Sequence, residues 1–464
     1  MADYSSEWVR ALASVCWLAA AVVVFAGPGP EPAAEQEAPP GPVQMAEALV
    51  DCLAAGEWEG AREHFDGRME EALPAERLKQ VWGQLTAAAG PFQRRGPSWT
   101  TEQGGLTTVY VPCHFERACL SAKVVFGPEG KVSGLWFQPG GAPRPPGPPP
   151  YADPALFDER EVTVGEGEAA LPGTLCLPAG EGPFPGLVLV HGSGPNDRDE
   201  TVGAVKPFRD LAQGLATRGV AVLRYEKRTR AHPDRVAAML ARLTVQEEVI
   251  DDALAAVRLL RQMPRVAPER VFLLGHSLGG TLVPRIAAQA PEAAGFVIMA
   301  GSTRPLEELF VEQMDYIARA DGSVTDEERR QMREAERMAE RIRDLEPSDA
   351  GRTEVLLGAA PTYWLDLRGC DPAEAAKAIE RPLLVLHGGR DYQVTEKDLA
   401  RWRNALEGQD NATIRAYPAL NHLFVEGEGP GTPIEYERPA HVAEKVVTDL
   451  ATWLKTGQLP TPAE

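Results

Sequence analysis

The pentapeptide Gly275-His276-Ser277-Leu278-Gly279, a G-x-S-x-G pattern between two stretches of opposite character, constrains this chain more than any other feature. Val271-Phe-Leu-Leu runs into it as unbroken apolar sequence, the mark of a strand buried on both faces. Leu282 to Ala290 follows with a pattern compatible with a helix. A strand that turns directly into a helix leaves the serine on a sharp corner, and the flanking glycines permit a backbone approach that a Cβ would block. The chain is therefore expected to contain a strand–turn–helix unit with Ser277 at its apex.

Further apolar runs at 187–190, 220–223, 296–300 and 383–386 alternate with amphipathic stretches such as 246–262. Strands of that kind between helices imply a mostly parallel sheet covered on both faces, an α/β class. Reactive side chains then gather at the carboxyl ends of the strands.

A serine hydroxyl is a weak nucleophile until a base takes its proton. On a corner of this type the partners follow in the order serine, acid, histidine. Of the eight histidines only His422 and His441 lie far enough downstream. His441 reads as the start of the last helix, whereas His422 sits in a loop after the short strand Ala412–Ala416. Pro382-Leu-Leu-Val-Leu-His-Gly-Gly-Arg-Asp391 offers an acid at the end of a buried strand. Asp366 and Asp371 have no β run leading into them. Ser277, Asp391 and His422 are thus the candidate nucleophile, orienting acid and base. A developing oxyanion needs donors already aimed at it. The Leu278 N–H is the first candidate and the Ser193 N–H, in His191-Gly-Ser-Gly-Pro195, the second, with Gly192 or Gly194 as alternatives.

On these residues the stretch from about 155 to 457 resembles an α/β-hydrolase domain of the bacterial esterase and peptidase-like type. His191 to Glu200, Lys206-Pro-Phe-Arg-Asp-Leu-Ala and Val222-Leu-Arg-Tyr-Glu-Lys-Arg-Thr229 are similar to one subgroup, which carries a small N-terminal accessory domain. Glu226 departs from it, standing where an aspartate is common. The resemblance implies hydrolysis of small-molecule carboxylic esters of small to medium acyl groups through an acyl-enzyme. A serine peptidase of the same superfamily and a non-catalytic binding protein on the same scaffold are the alternatives. The charged run Asp197-Arg-Asp-Glu-Thr201 reads as a solvated loop or local ion-pair lattice before it reads as a substrate rim. His191, His276 and His387 read as structural side chains at strand ends.

Between Ser302 and Arg381, helices are predicted over Glu307–Ala320 and Asp326–Asp344, and residues 303–380 form a helical cap by analogy with this fold. Leu309, Phe310, Met314, Tyr363 and Trp364 are expected mostly to pack the cap on the body and secondarily to line an acyl pocket.

Two Pro-rich linkers, 27–42 and 139–150, set off residues 43–138 as a small α+β domain. Met45–His64 and Ala75–Ala89 read as helices, and Leu106–Phe115, Cys119–Phe126 and Lys131–Phe137 as an antiparallel meander of nuclear-transport-factor-like type. It carries no catalytic set, so homo-oligomerisation or substrate-side binding is its expected role. The hydrolase domain takes up 151–464. Residues 1–26 contain the apolar run Ala11–Ala26, short of the ~20 residues a spanning helix needs. They read as a signal peptide for export, with membrane attachment through residues 11–26 as the second reading and a cytosolic helix as the third.

A formal charge of −20 disfavours nucleic acid as a partner. The six cysteines show no metal spacing and read as free buried thiols by default, with Cys113 and Cys119, which flank a predicted hairpin, as the pair that would bridge in an exported chain. No nucleotide or zinc motif is present, and no cofactor or metal is expected.

Overall fold

The computed structural model describes residues 41–139, apart from 97, 104, 105 and 117, and residues 147–460, apart from 321 and 323. The expected signal segment 1–26 and most of both Pro-rich linkers lie outside the described residues. Those described fall into two compact units, one on either side of the second linker.

The first unit has helices α1 (Pro42–Ala55) and α2 (Ala75–Ala89) and five antiparallel strands. These are β1 (Phe92–Arg95), β2 (Trp99–Gln103), β3 (Leu106–Phe115), β4 (Cys119–Phe126) and β5 (Val132–Pro139), in the order β1-β3-β4-β5 with β2 also on β3. The predicted first helix is too long: it stops at Ala55, where Gly56 takes a left-handed conformation. The meander stands as expected, and β1 and β2 are additions. Leu53, Phe65, Leu78, Val109 and Val124 belong to a core internal to this unit. Cys113 is buried with Leu120 as its cross-strand neighbour, while Cys119 pairs through its backbone with His114. The two cysteines are therefore not cross-strand partners in this register.

The second unit is built on an eight-stranded sheet in the order β13-β12-β11-β10-β8-β9-β7-β6. Its strands are β6 (Phe157–Val164), β7 (Leu171–Pro178), β8 (Phe184–Val190), β9 (Ala221–Tyr225), β10 (Val266–His276), β11 (Phe296–Met299), β12 (Leu383–Gly388) and β13 (Ala412–Tyr417). From β9 to β13 every neighbouring pair is parallel, and β6 and β7 join antiparallel at one edge. Helices α3 (Pro207–Thr217) and α10 (Glu444–Thr456) cover one face with Phe208, Leu211, Val447 and Leu450. Helices α4 (Asp251–Gln262), α5 (Leu278–Ala287) and α9 (Glu396–Ala405) cover the other. The cap inserts between β11 and β12 and includes α6 (Leu306–Ala318), α7 (Asp326–Arg343) and α8 (Pro361–Arg368).

The chain leaves β8 toward β9 on one side and returns through β10 on the other. Strand order therefore reverses between β8 and β10, and the loops after these two strands meet at the open crevice of the sheet.

Candidate active site

Ser277 lies between the last residue of β10 and the first of α5, with φ 52° and ψ −119°. A non-glycine residue there carries about 1–3 kcal/mol of strain that its surroundings must impose. They do so through two hydrogen bonds and the tightness of the turn. Its N–H donates to the Met299 carbonyl at 2.9 Å, and its carbonyl accepts from the Thr281 N–H at 2.9 Å. The turn itself is so tight that a Cβ on Gly275 would stand 2.2 Å from the Gly279 carbonyl oxygen, and one on Gly279 would stand 2.4 Å from that of Val190.

Asp391 follows β12 and His422 follows β13, two neighbouring parallel strands. His422 Nδ1 is 2.7 Å from Asp391 Oδ2, and both side chains are buried. A carboxylate only accepts, so Nδ1 carries the hydrogen and Nε2 is left able to accept a proton. Asp391 Oδ1 accepts the N–H groups of Gln393 at 2.8 Å and Val394 at 2.9 Å, which fixes the carboxylate. Asn421 secures the next loop: its Oδ1 accepts from the N–H groups of Leu423 and Val425, both at 3.1 Å. Ser277 and His422 face one cavity.

The discarded candidates have other duties. His441 Nδ1 pairs with Asp210 at 3.0 Å, a second His–Asp pair that does not line the cavity. Asp366 holds Arg285 and the Val245 N–H, and Asp371 caps the short helix Pro372–Ala376. His191 binds the Asp197 carbonyl through Nε2 at 3.0 Å, and burial lowers its pKa to about 4.

Gly192 passes so close over the nucleophile that a Cβ there would stand 3.0 Å from the Ser277 Cβ. Its N–H is already donated to Glu200 Oε1 at 2.6 Å, which removes Gly192 as an oxyanion donor. As the first helical residue, Leu278 has an N–H with no intrahelical partner. Among the described residues no hydrogen bond takes up the Ser193 N–H, and Ser193 lines the cavity.

The run Asp197–Thr201 divides. Arg198 pairs with Glu161 and Glu226, and Asp199 with Lys206 and Arg224, forming the expected ion-pair lattice. Glu200 instead turns inward, 2% exposed, with Oε2 2.9 Å from His276 Nδ1. His276 Nε2 donates to the His422 carbonyl at 3.1 Å. Burial opposes charge on both partners, yet their mutual attraction holds Glu200 below and His276 above its ordinary pKa. One buried ion pair thus touches the loop after β8, the nucleophile corner and the histidine loop. Lys227 and Glu248 form another at the cavity wall, 3.0 Å apart. Sequence reasoning missed all three of Glu200, Lys227 and Glu248, because each reads as one more charge in a charged stretch.

The cavity has a volume of about 160 Å³ and is roofed by cap residues, including Leu309, Phe310, Leu357, Tyr363 and Trp364. Four of the five predicted cap side chains line it, which reverses the expectation that most would only pack; Met314 is buried elsewhere. Tyr363 and Trp364 also belong to the main core, so lining and packing coincide there. Among the described residues no three His, Cys, Asp or Glu side chains gather so as to hold a metal ion, and no helix is long and apolar enough to cross a membrane.

Residues 187–432 match the alpha/beta hydrolase family, and residues 46–135 match a family described as a protein of unknown function, DUF3887. The chain is 39% identical over 412 residues to esterase EstD of Thermotoga maritima, covering 89% of this chain and 95% of that protein. Among solved structures it is similar to a hyperthermophilic esterase from the archaeon Pyrobaculum calidifontis, with a TM-score of 0.42 and 14% identity over 66% of this chain and 87% of that one. It is also similar to the acylaminoacyl peptidase of Pyrococcus horikoshii, with a TM-score of 0.45 and 13% identity over 80% of this chain and 57% of that one. Neither structural likeness says anything about what this chain acts on.

Proposed function

The chain belongs to the α/β-hydrolase family, and on that premise we propose that it is a serine carboxylesterase whose nucleophile is Ser277, oriented through His422 and Asp391. The observation that carries this reading is the 2.7 Å bond from His422 Nδ1 to Asp391, which leaves Nε2 as a base in the cavity that Ser277 faces. As Ser277 Oγ attacks the ester carbonyl carbon, His422 Nε2 takes its proton. The carbonyl oxygen becomes an oxyanion held by the N–H groups of Leu278 and Ser193. Collapse breaks the carbon–alkoxy bond, and His422 returns the proton to the departing alcohol. Water then attacks the acyl-enzyme with His422 again as base, and the acid and free serine are released.

The apolar roof and a volume near 160 Å³ support a short to medium acyl group, since cavities of about 150 Å³ accept a benzene-sized guest. Peptidase action at a free N-terminus would need an acidic anchor. The two carboxylates lining the cavity, Glu200 and Glu248, are already paired with His276 and Lys227, which favours the ester. Kinetics on p-nitrophenyl esters from acetate to laurate test the reading: kcat/KM should peak at butyrate to octanoate and fall beyond. Turnover of aminoacyl anilides but not of esters would contradict it.

Export directed by residues 1–26, or attachment to a membrane through residues 11–26, is part of the same proposal, tested by fractionating cells that express the full chain. Self-association through residues 43–138 is tested by light scattering.

A further inference from the structure

Lys227 is 2% exposed, follows Glu226 in the loop after β9, and its Nζ donates to the Gly192 carbonyl at 2.7 Å. That carbonyl and the Ser193 N–H belong to one planar, trans peptide unit, so they point in opposite directions. An ammonium fixed on the oxygen edge therefore fixes where the N–H edge points, and its charge polarises the amide toward stronger donation. Asn196 Nδ2 also reaches the Gly192 carbonyl at 3.2 Å, but as a neutral donor.

Lys227 is itself held by Glu248 Oε1 at 3.0 Å, and Glu248 Oε2 accepts the Tyr363 hydroxyl at 2.6 Å. Glu248 belongs to the body, on a π-helical turn over Gln246–Ile250, and such turns recur at functional sites. Tyr363 belongs to the cap helix α8, is 7% exposed, and lines the cavity beside Ser277. Burial, and after it Glu248, pushes its pKa well above the ordinary value, so the hydroxyl is a neutral donor. Two buried charges cost more than apolar residues of the same volume would, so mere packing is a poor account of them.

We propose that Tyr363, Glu248 and Lys227 form a relay of positioning residues that runs from the cap to the Gly192–Ser193 peptide and aims the Ser193 N–H at the oxyanion. The inference rests on the esterase reading above and deepens it: the cap does more than shape the acyl pocket, because seating Tyr363 on Glu248 completes the oxyanion hole.

The test uses the full chain and its variants Tyr363→Phe, Glu248→Gln and Lys227→Met. Each is titrated with a fluorophosphonate to count active sites. kcat and KM are then measured on p-nitrophenyl butyrate, and Ki for an alkyl trifluoromethyl ketone, whose serine adduct places an oxyanion in the hole. Losing an oxyanion donor outright costs about 10²–10³ in kcat, so kcat per titrated site should fall about tenfold in Tyr363→Phe and about a hundredfold in Lys227→Met. KM should stay within about threefold, and Ki should rise in proportion to the loss in kcat/KM. Adding Tyr363→Phe to Glu248→Gln should cost almost nothing more, as expected of links in one chain. Wild-type kcat and Ki in Tyr363→Phe would overturn the proposal, and this variant decides the matter even if Lys227→Met fails to fold. A wild type that the fluorophosphonate never labels would instead overturn the esterase reading beneath it.

Discussion

Asp391 serves His422 through both of its oxygens, one holding the imidazole and the other anchored by the N–H groups of Gln393 and Val394. Asp391→Asn would keep the shape but present a donor to Nδ1, favouring the wrong tautomer. kcat should fall by about 10³–10⁴ with an unchanged thermal midpoint, as read from initial rates and melting curves. The serine and acid were legible in the sequence because each follows an apolar run that a parallel sheet must bury, and the histidine because, of the two far enough downstream, only His422 sits in a loop after a strand. Glu200 was not. Its neighbours Arg198 and Asp199 join the ion-pair lattice and Asp197 holds Thr201, while Glu200, with a positive φ of 51°, turns its side chain inward to His276. Lys227 escaped notice for the same reason, standing among Glu226, Arg228 and Arg230, which pair with Arg198, Asp252 and Glu226 respectively.

Elements, more than single residues, decide whether these groups meet. The corner from β10 into α5 works only if Gly275 and Gly279 stay bare, because their missing Cβ atoms would collide with backbone rather than with side chains that could move. Gly279→Ala should cost about 3 kcal/mol, measured by denaturant unfolding, with activity lost in whatever remains folded. In the cap, Phe310 lies over the cavity. Phe310→Ala should shift the optimum to longer chains, raising kcat/KM for octanoate relative to butyrate by about tenfold; an unchanged ester profile would remove Phe310 from the acyl pocket. The strands leading to Ser193, Ser277 and Asp391 were legible as unbroken apolar runs. Of those missed, β1 (Phe-Gln-Arg-Arg), β2 (Trp-Thr-Thr-Glu-Gln) and β6 (Phe-Asp-Glu-Arg-Glu-Val-Thr-Val) are polar, and β7 (Leu-Pro-Gly-Thr-Leu-Cys-Leu-Pro) is interrupted by proline and glycine. In β6 the exposed charges suit a sheet edge, where they discourage pairing with another chain. Cross-strand pairing, β1 and β2 on β3 and β6 on β7, stabilises such strands, and an apolar pattern within the strand itself cannot reveal it.

Across the whole molecule, buried ion pairs tie stability to pH. The depressed Glu200 contributes stability above its unfolded pKa of 4.5 and loses it as pH falls through the folded value. The elevated His276 contributes stability below its unfolded pKa of 6.5 and loses it as pH rises through the folded value. Both contributions are complete only between 4.5 and 6.5. The melting temperature of the wild type should exceed that of His276→Gln most in this window, and the gap should narrow on both sides; a gap constant from pH 4 to 9 would deny that the pair is charged. The most direct test of the central claim counts nucleophiles on the intact chain. Intact-mass titration with a fluorophosphonate should add one phosphonyl group per wild-type chain and none to Ser277→Ala, with esterase activity lost in step with labelling. A label on Ser277→Ala, or ester turnover surviving in that folded variant, would contradict the account.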